Sequence, residues 1–148
     1  MKRNISRIKA LFKLYQYDLL KSDETIEYFE GEFPSLLEEI NEEEDSKESF
    51  DYDIDFSNDL YNGVIENLAD IDRTIAISLT NYSLDRLSYV DRNLLRIGVY
   101  ELVYLKEPKK IVISEIVKLS KDYSQTEDFL SSRFNNKVLD NICTRLGI

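Results

Sequence analysis

The residues of this chain best placed to do chemistry are cations at unusual positions. Lys2, Arg3 and Arg7 stand at the start of one amphipathic segment, and Lys109 and Lys110 follow Pro108 at the start of another. Positive charge at a helix N-terminus opposes the macrodipole, where acids are normally favoured. Such cations can neutralise phosphates, arginine through bidentate contacts. The alternative is a merely solvated helix end, or for Lys109-Lys110 an exposed pair tolerated at a cost of roughly a few tenths of a kcal/mol. Tyr82, Tyr89, Tyr104 and Tyr123 could offer stacking surfaces to unpaired bases. With 10 Tyr and no Trp, however, most tyrosines suit packing at the edge of a core. Arg86, Arg92 and Arg96 alternate with apolar residues. Arg96, between Leu95 and Ile97, must pair with an acid or reach the surface, and an internal ion pair is expected of at least one of the three.

Catalytic arrangements are poorly supported. The chain has no His, which removes the commonest general base and metal ligand. It has no Gly-rich phosphate loop and no Ser-His-Asp or Cys-His set. The pairs Asp70/Asp72 and Glu38/Glu39 are what chance gives among 29 acids, with nothing convergent around them. The residues therefore point to binding rather than to an enzyme, with no cofactor and no metal.

The elements that must carry these residues read as helices. A chain of 148 residues fits one domain, and only 4 Gly and 2 Pro leave few turns for a strand-rich fold. Ile5, Ile8, Leu11, Phe12, Tyr15 and Leu19 recur every three or four residues, one stripe of a helix that leaves Lys2, Arg3 and Arg7 off the stripe. Ile26 to Ile40 continue a helical spacing, with a break near Gly31 and Pro34. Residues 41–53 are acidic and of low complexity, a solvated loop near 41–55. Phe56 to Leu68 and Ile71 to Leu79 mark two more helices, and Leu84 and Leu87 a short helical turn. From Asp91 to Leu105 the chain is apolar on most faces, which predicts a central buried helix. Ile113 to Leu119 and Phe129 to Leu146 complete an all-α chain of about seven helices in two sub-bundles, with Thr126 or Asp128 as a cap for the last.

Charge and cysteine usage bound the surroundings. The net charge is −10, yet residues 23–59 hold 16 acids against the single base Lys47. The first 22 residues hold six bases against Asp18, and residues 60–148 balance. Cys143 has no disulfide partner, which suits a reducing, cytoplasmic setting. No run of 18 apolar residues could cross a membrane, and the basic N-terminus lacks the apolar core of a signal peptide.

The stretch YSLDRLSYVDRNLLRIGVYELVYL, from Tyr82 to Leu105, resembles the signature of the NusB family of transcription antitermination factors. KEPKKIVISEIVKLSKDY and RFNNKVLDNI are similar to that family's following segments, with Lys137 where the family pattern has glycine. FSNDLYNGVIEN resembles its F-x-x-x-L-x-x-G-V element, and RIKALFKLYQ its opening. The resemblance is collinear over nearly the whole chain. It implies a seven-helix domain spanning 1–148 that binds the boxA element of ribosomal RNA leader transcripts. The small-subunit ribosomal protein that doubles as NusE would bind with it, and other Nus factors and RNA polymerase would be engaged indirectly. Carried over by motif position, RNA contact falls on Lys2, Arg3, Arg7, Tyr82, Arg96, Lys109, Lys110, Asp128, Arg133 and Phe134. Contact with the ribosomal protein falls on Tyr15 and Asp91. The family's members leave both monomer and homodimer open for this chain.

Two other readings compete. An acidic protein-interaction module could keep the fold without RNA binding, using residues 23–59 to attract a basic partner. An accessory domain acting in trans on an RNA methyltransferase is the other, since NusB-like domains also occur fused to such enzymes.

Overall fold

The computed structural model describes residues 2–21, 52–80, 83–124 and 130–148. Among these residues there are six α-helices and no strand. They are α1 (Lys2–Leu20), α2 (Ile54–Glu66), α3 (Leu68–Ser78), α4 (Tyr89–Val99), α5 (Lys109–Tyr123) and α6 (Leu130–Leu146). A short 3-10 turn, Leu84–Arg86, precedes α4, where the sequence predicts a turn of helix. The helix expected between Ile26 and Ile40, the acidic loop up to residue 51, and the Thr126 or Asp128 cap fall outside the described residues. The loop expected near 41–55 ends earlier than that, because Asp53 caps α2 and Ile54 and Asp55 are its first residues. The count of about seven is thus six where the chain is described.

Local chemistry sets the helix ends. Asp53 caps α2 by accepting the Phe56 N–H at 3.0 Å, and its own N–H donates to Ser6 Oγ of α1 at 2.9 Å. That one residue starts a helix and fastens it to its neighbour. Asn67 closes α2, its side-chain amide donating to Gly63 O at 2.8 Å, and α3 follows at once. Ser88 caps α4 by accepting the Asp91 N–H at 3.1 Å. At its far end α4 widens into one π-helical turn, Tyr100–Tyr104, closed by Leu105 N–H to Tyr100 O at 3.1 Å. Lys106, at φ 56, then reverses the chain in the left-handed region, leading to Pro108 and α5.

Helix α4 is the hub: every residue from Asp91 to Leu102 is buried, as its nearly all-round apolar sequence predicts. The pair α1–α2 packs on one side of it, and α3 with the hairpin α5–α6 on the other. Leu11, Leu60, Ile71, Leu94, Leu95, Ile97, Ile116 and Leu139 form one continuous core. Helix α1 is turned differently from the predicted stripe. Ala10, Leu11 and Leu14 face the core, while Tyr15 and Leu19 stand 38% and 53% exposed. Ion pairs made by Arg7 and Asp18, described below, hold it in that rotation.

Gly63 in the F-x-x-x-L-x-x-G-V element has a plain role. A Cβ there would overlap the ring of Tyr100, whose hydroxyl donates to Asp59 at 2.7 Å. Gly63→Ala should therefore lower stability by about 1–3 kcal/mol, the usual cost of overpacking, measured by denaturant unfolding. Tyr100 also makes a pH-dependent contribution. Burial, then the hydrogen bond to Asp59 and the charges of Asp59 and Glu66, push its hydroxyl up from 10.0 to about 12. The folded state thus prefers the neutral phenol. That preference is fully present below pH 10 and is lost as pH rises from about 10 to about 12. Unfolding curves across that window should show a steeper loss of stability for the native chain than for Tyr100→Phe.

Candidate nucleic-acid and partner interface

The clearest binding feature lies between α5 and α6. Helix α5 begins directly after Pro108 with no side-chain cap and no acid in its first turn. Its first two residues, Lys109 and Lys110, therefore stand at the positive end of the helix, as the sequence indicates. They open onto a cleft of about 520 Å³ that continues along Ser114, Val117 and Lys118 and meets Asn136 of α6. Lys109 Nζ pairs with Asp140 at 2.9 Å, and that hydrogen bond raises its pKa. Lys110 and Arg133 are exposed and form no ion pair with a described residue. Phe134, next to Arg133, is half-buried against the core. Cations over an apolar floor, with an aromatic at the rim, can hold phosphates and stack a base.

The N-terminal cations are used differently from one another. Arg3 is half-exposed, 3.2 Å from Glu107, and lies over the Phe56 ring at 4.6 Å. Lys2 is exposed. Arg7 is not on the solvated face where the sequence reading sets it. It is 4% exposed and makes two bonds, of 2.8 and 2.6 Å, to the Glu101 carboxylate. Lys9 and Lys13 are also buried, over the rings of Tyr52 and Tyr61 at 4.8 and 4.5 Å. Much of the positive charge of α1 is thus matched inside the molecule. The physical reason is the rings of α2 and its approach and the carboxylates of Glu101 and Glu107 after α4, which the periodicity of α1 cannot reveal.

Arg96 makes the internal pairing expected of that group of arginines, and Arg92 makes a second. Arg96 binds both Asp72 oxygens, at 2.8 and 2.9 Å, and donates to Asn93 Oδ1 at 3.0 Å. Arg92 Nη1 reaches Asp18 at 3.0 Å, and Arg96 lies 3.4 Å from the same carboxylate. Tyr82 and Asp128 lie outside the described residues.

A second feature lies where α1, α4 and the end of α5 meet. Leu11, Phe12, Tyr15, Leu19, Val90 and Tyr123 line an apolar groove of about 400 Å³. Tyr15 rests edge-on against Tyr89 at 5.5 Å, and Phe12 against Tyr123 at 5.7 Å. Asp91 lies at the floor of the adjoining cleft, but its carboxylate points inward. It accepts hydrogen bonds from Ser124, from Ser131 at 3.0 Å and from Asn135 at 3.1 Å. The sequence reading puts Leu19 on the core stripe of α1 and offers Tyr123 as a stacking surface for bases. In the structure Leu19 is exposed, Tyr123 is half-buried, and both line this groove with Val90. The only available signal was an apolar stripe on α1 broader than one core contact needs.

Burial pushes the Cys143 thiol up, away from the nucleophilic thiolate. Among the described residues no group of three His, Cys, Asp or Glu is placed to hold a metal, and no helix is long and apolar enough to cross a membrane.

Residues 4–144 match the sequence profile of the NusB family. A Listeria monocytogenes protein named transcription antitermination protein NusB is 38% identical over 143 residues, covering 96% of each chain. Another of that name, from Fervidobacterium nodosum, is 44% identical over 81 residues, 54% of this chain and 55% of that one. The structure is similar to that of T. maritima NusB, with a TM-score of 0.71 and 32% identity, over 97% of this chain and 92% of that one. It is also similar to a chain in a crystal structure of antitermination factors NusB and NusE with dsRNA. There the TM-score is 0.69 and the identity 30%, over 97% of both chains.

The inward carboxylate of Asp91 sets a measurable expectation. Asp91→Ala leaves two buried donors, Ser131 and Asn135, without this acceptor, and each unsatisfied buried group costs about 1–3 kcal/mol. Thermal and denaturant unfolding should show a loss of at least about 2 kcal/mol, with amide exchange rising first in the early turns of α6.

Proposed function

This chain belongs to the NusB family, and on that premise we propose that it is a transcription antitermination factor. It binds boxA-type RNA together with the ribosomal protein that serves as NusE, and through them engages other Nus factors and RNA polymerase indirectly. The observation that carries this reading is the uncapped start of α5, where Lys109 and Lys110 open a cationic cleft that reaches Asn136 of α6, on the exposed stripe that also bears Arg133. In the proposal, Lys109, Lys110, Arg133 and Phe134 contact RNA, with Lys2 and Arg3 beside them, and Tyr82 and Asp128 contribute by motif position. Arg7 and Arg96 serve that surface by locking α1, α3 and α4 through buried ion pairs. The ribosomal protein docks on the apolar groove around Tyr15, whose adjoining cleft Asp91 underpins. The protein acts in the cytoplasm by binding rather than by catalysis, and needs no cofactor.

The test is RNA binding by fluorescence anisotropy, with and without the ribosomal protein, over a range of salt. Lys110→Glu with Arg133→Glu should weaken boxA RNA binding at least about tenfold, or 1.4 kcal/mol, and leave partner affinity intact. Tyr15→Asp should do the reverse. No binding of either ligand at low salt would overturn the reading. RNA binding indifferent to the double reversal, with partner binding intact, would favour an interaction module instead.

A further inference from the structure

The cations along the α5–α6 cleft extend well beyond the helix start. Lys110, Ser114, Lys118 and Lys121 line its α5 side and Asn136 its α6 side. Eleven residues separate Lys110 from Lys121, so this side runs for about 16 Å along the helix. On α6, Arg133 and Lys137 are one turn apart on the exposed stripe that includes Asn136 and Asp140. Asp140 is already engaged by Lys109. Lys110, Lys118, Arg133 and Lys137 form no ion pair with any described residue, although the chain as a whole carries a charge of −10. Like charges one turn apart destabilise a helix. They are left unmatched while cations of α1 are matched closely, and an anion seated along the cleft would relieve that repulsion.

We infer that the RNA path follows the whole length of this cleft, with Lys118 and Lys137 as phosphate contacts for a single-stranded segment flanking the one held at the start of α5. The inference rests on the RNA-binding reading above and adds residues and reach to it. Several features favour an RNA backbone as the occupant. The cations of α5 are spread over a length that a chain of phosphates can follow, and Arg133 and Lys137 stand on the same exposed stripe of α6 as Asn136, which lines the cleft. The floor between them is apolar, at Ile113 and Val117. The cleft is continuous with Lys110 at the helix start.

The experiment uses the full chain with its ribosomal partner and two RNAs, a short boxA RNA and the same RNA extended on both sides. Each single-strand phosphate contact contributes about 0.7 to the slope of log affinity against log salt. The double variant Lys118→Ala/Lys137→Ala should make that slope shallower by about 1.4 for the extended RNA and leave it unchanged for the short one. Both side chains are exposed, so thermal unfolding should coincide with that of the native chain. An unchanged slope for the extended RNA overturns the inference, and if Lys110→Glu/Arg133→Glu still weakens the short RNA, the function proposed above survives. Loss of partner affinity with the RNA slope unchanged would assign the cleft to a protein and also overturn it. Failure of the native chain to bind either RNA overturns both.

Discussion

The central helix carries two arginines into the core, and its last turn leads into a buried glutamate. Counter-charges for them must come from the neighbouring helices. Arg7 of α1 meets Glu101, Asp18 of α1 meets Arg92, and Asp72 of α3 meets Arg96. Stripping water from such groups is costly, and breaking one partner of a buried pair costs about 3–5 kcal/mol. Each pair therefore fixes the rotation of a helix about its own axis more narrowly than apolar contact would. Helix α1 shows the effect, because its ion pairs turn Ala10 and Leu14 inward and leave Tyr15 and Leu19 outward.

That rotation creates the apolar groove, and the same internal matching leaves the cationic cleft distinct. Positive charge at the N-terminus is drawn into the molecule by Glu101, Glu107, Phe56, Tyr52 and Tyr61. Positive charge on α5 and α6 stays largely outside, over an apolar floor. The two surfaces share Asp91. Its carboxylate ties the start of α4, beneath Tyr89 and Val90, to Ser124 after α5 and to Ser131 and Asn135 of α6. The groove and the cleft thus rest on elements joined by one buried carboxylate.

The sequence by itself determined the helical class, the buried central helix and the cations at the start of α5. Periodicity and helix-end chemistry are local, so a window of residues suffices to read them. The resemblance in five ordered segments then supplied the family, which the match over residues 4–144 shows. Only the tertiary structure decided which charges remain available. Arg7 and Arg3 look equivalent in the chain, but one is sealed against Glu101 and the other is half-exposed. Asp91 looks like any exposed helix-start acid until Ser131 and Asn135 arrive from forty residues away. Whether a charge is offered or consumed depends on counter-ions and burial contributed by distant segments, and a local pattern holds no record of them.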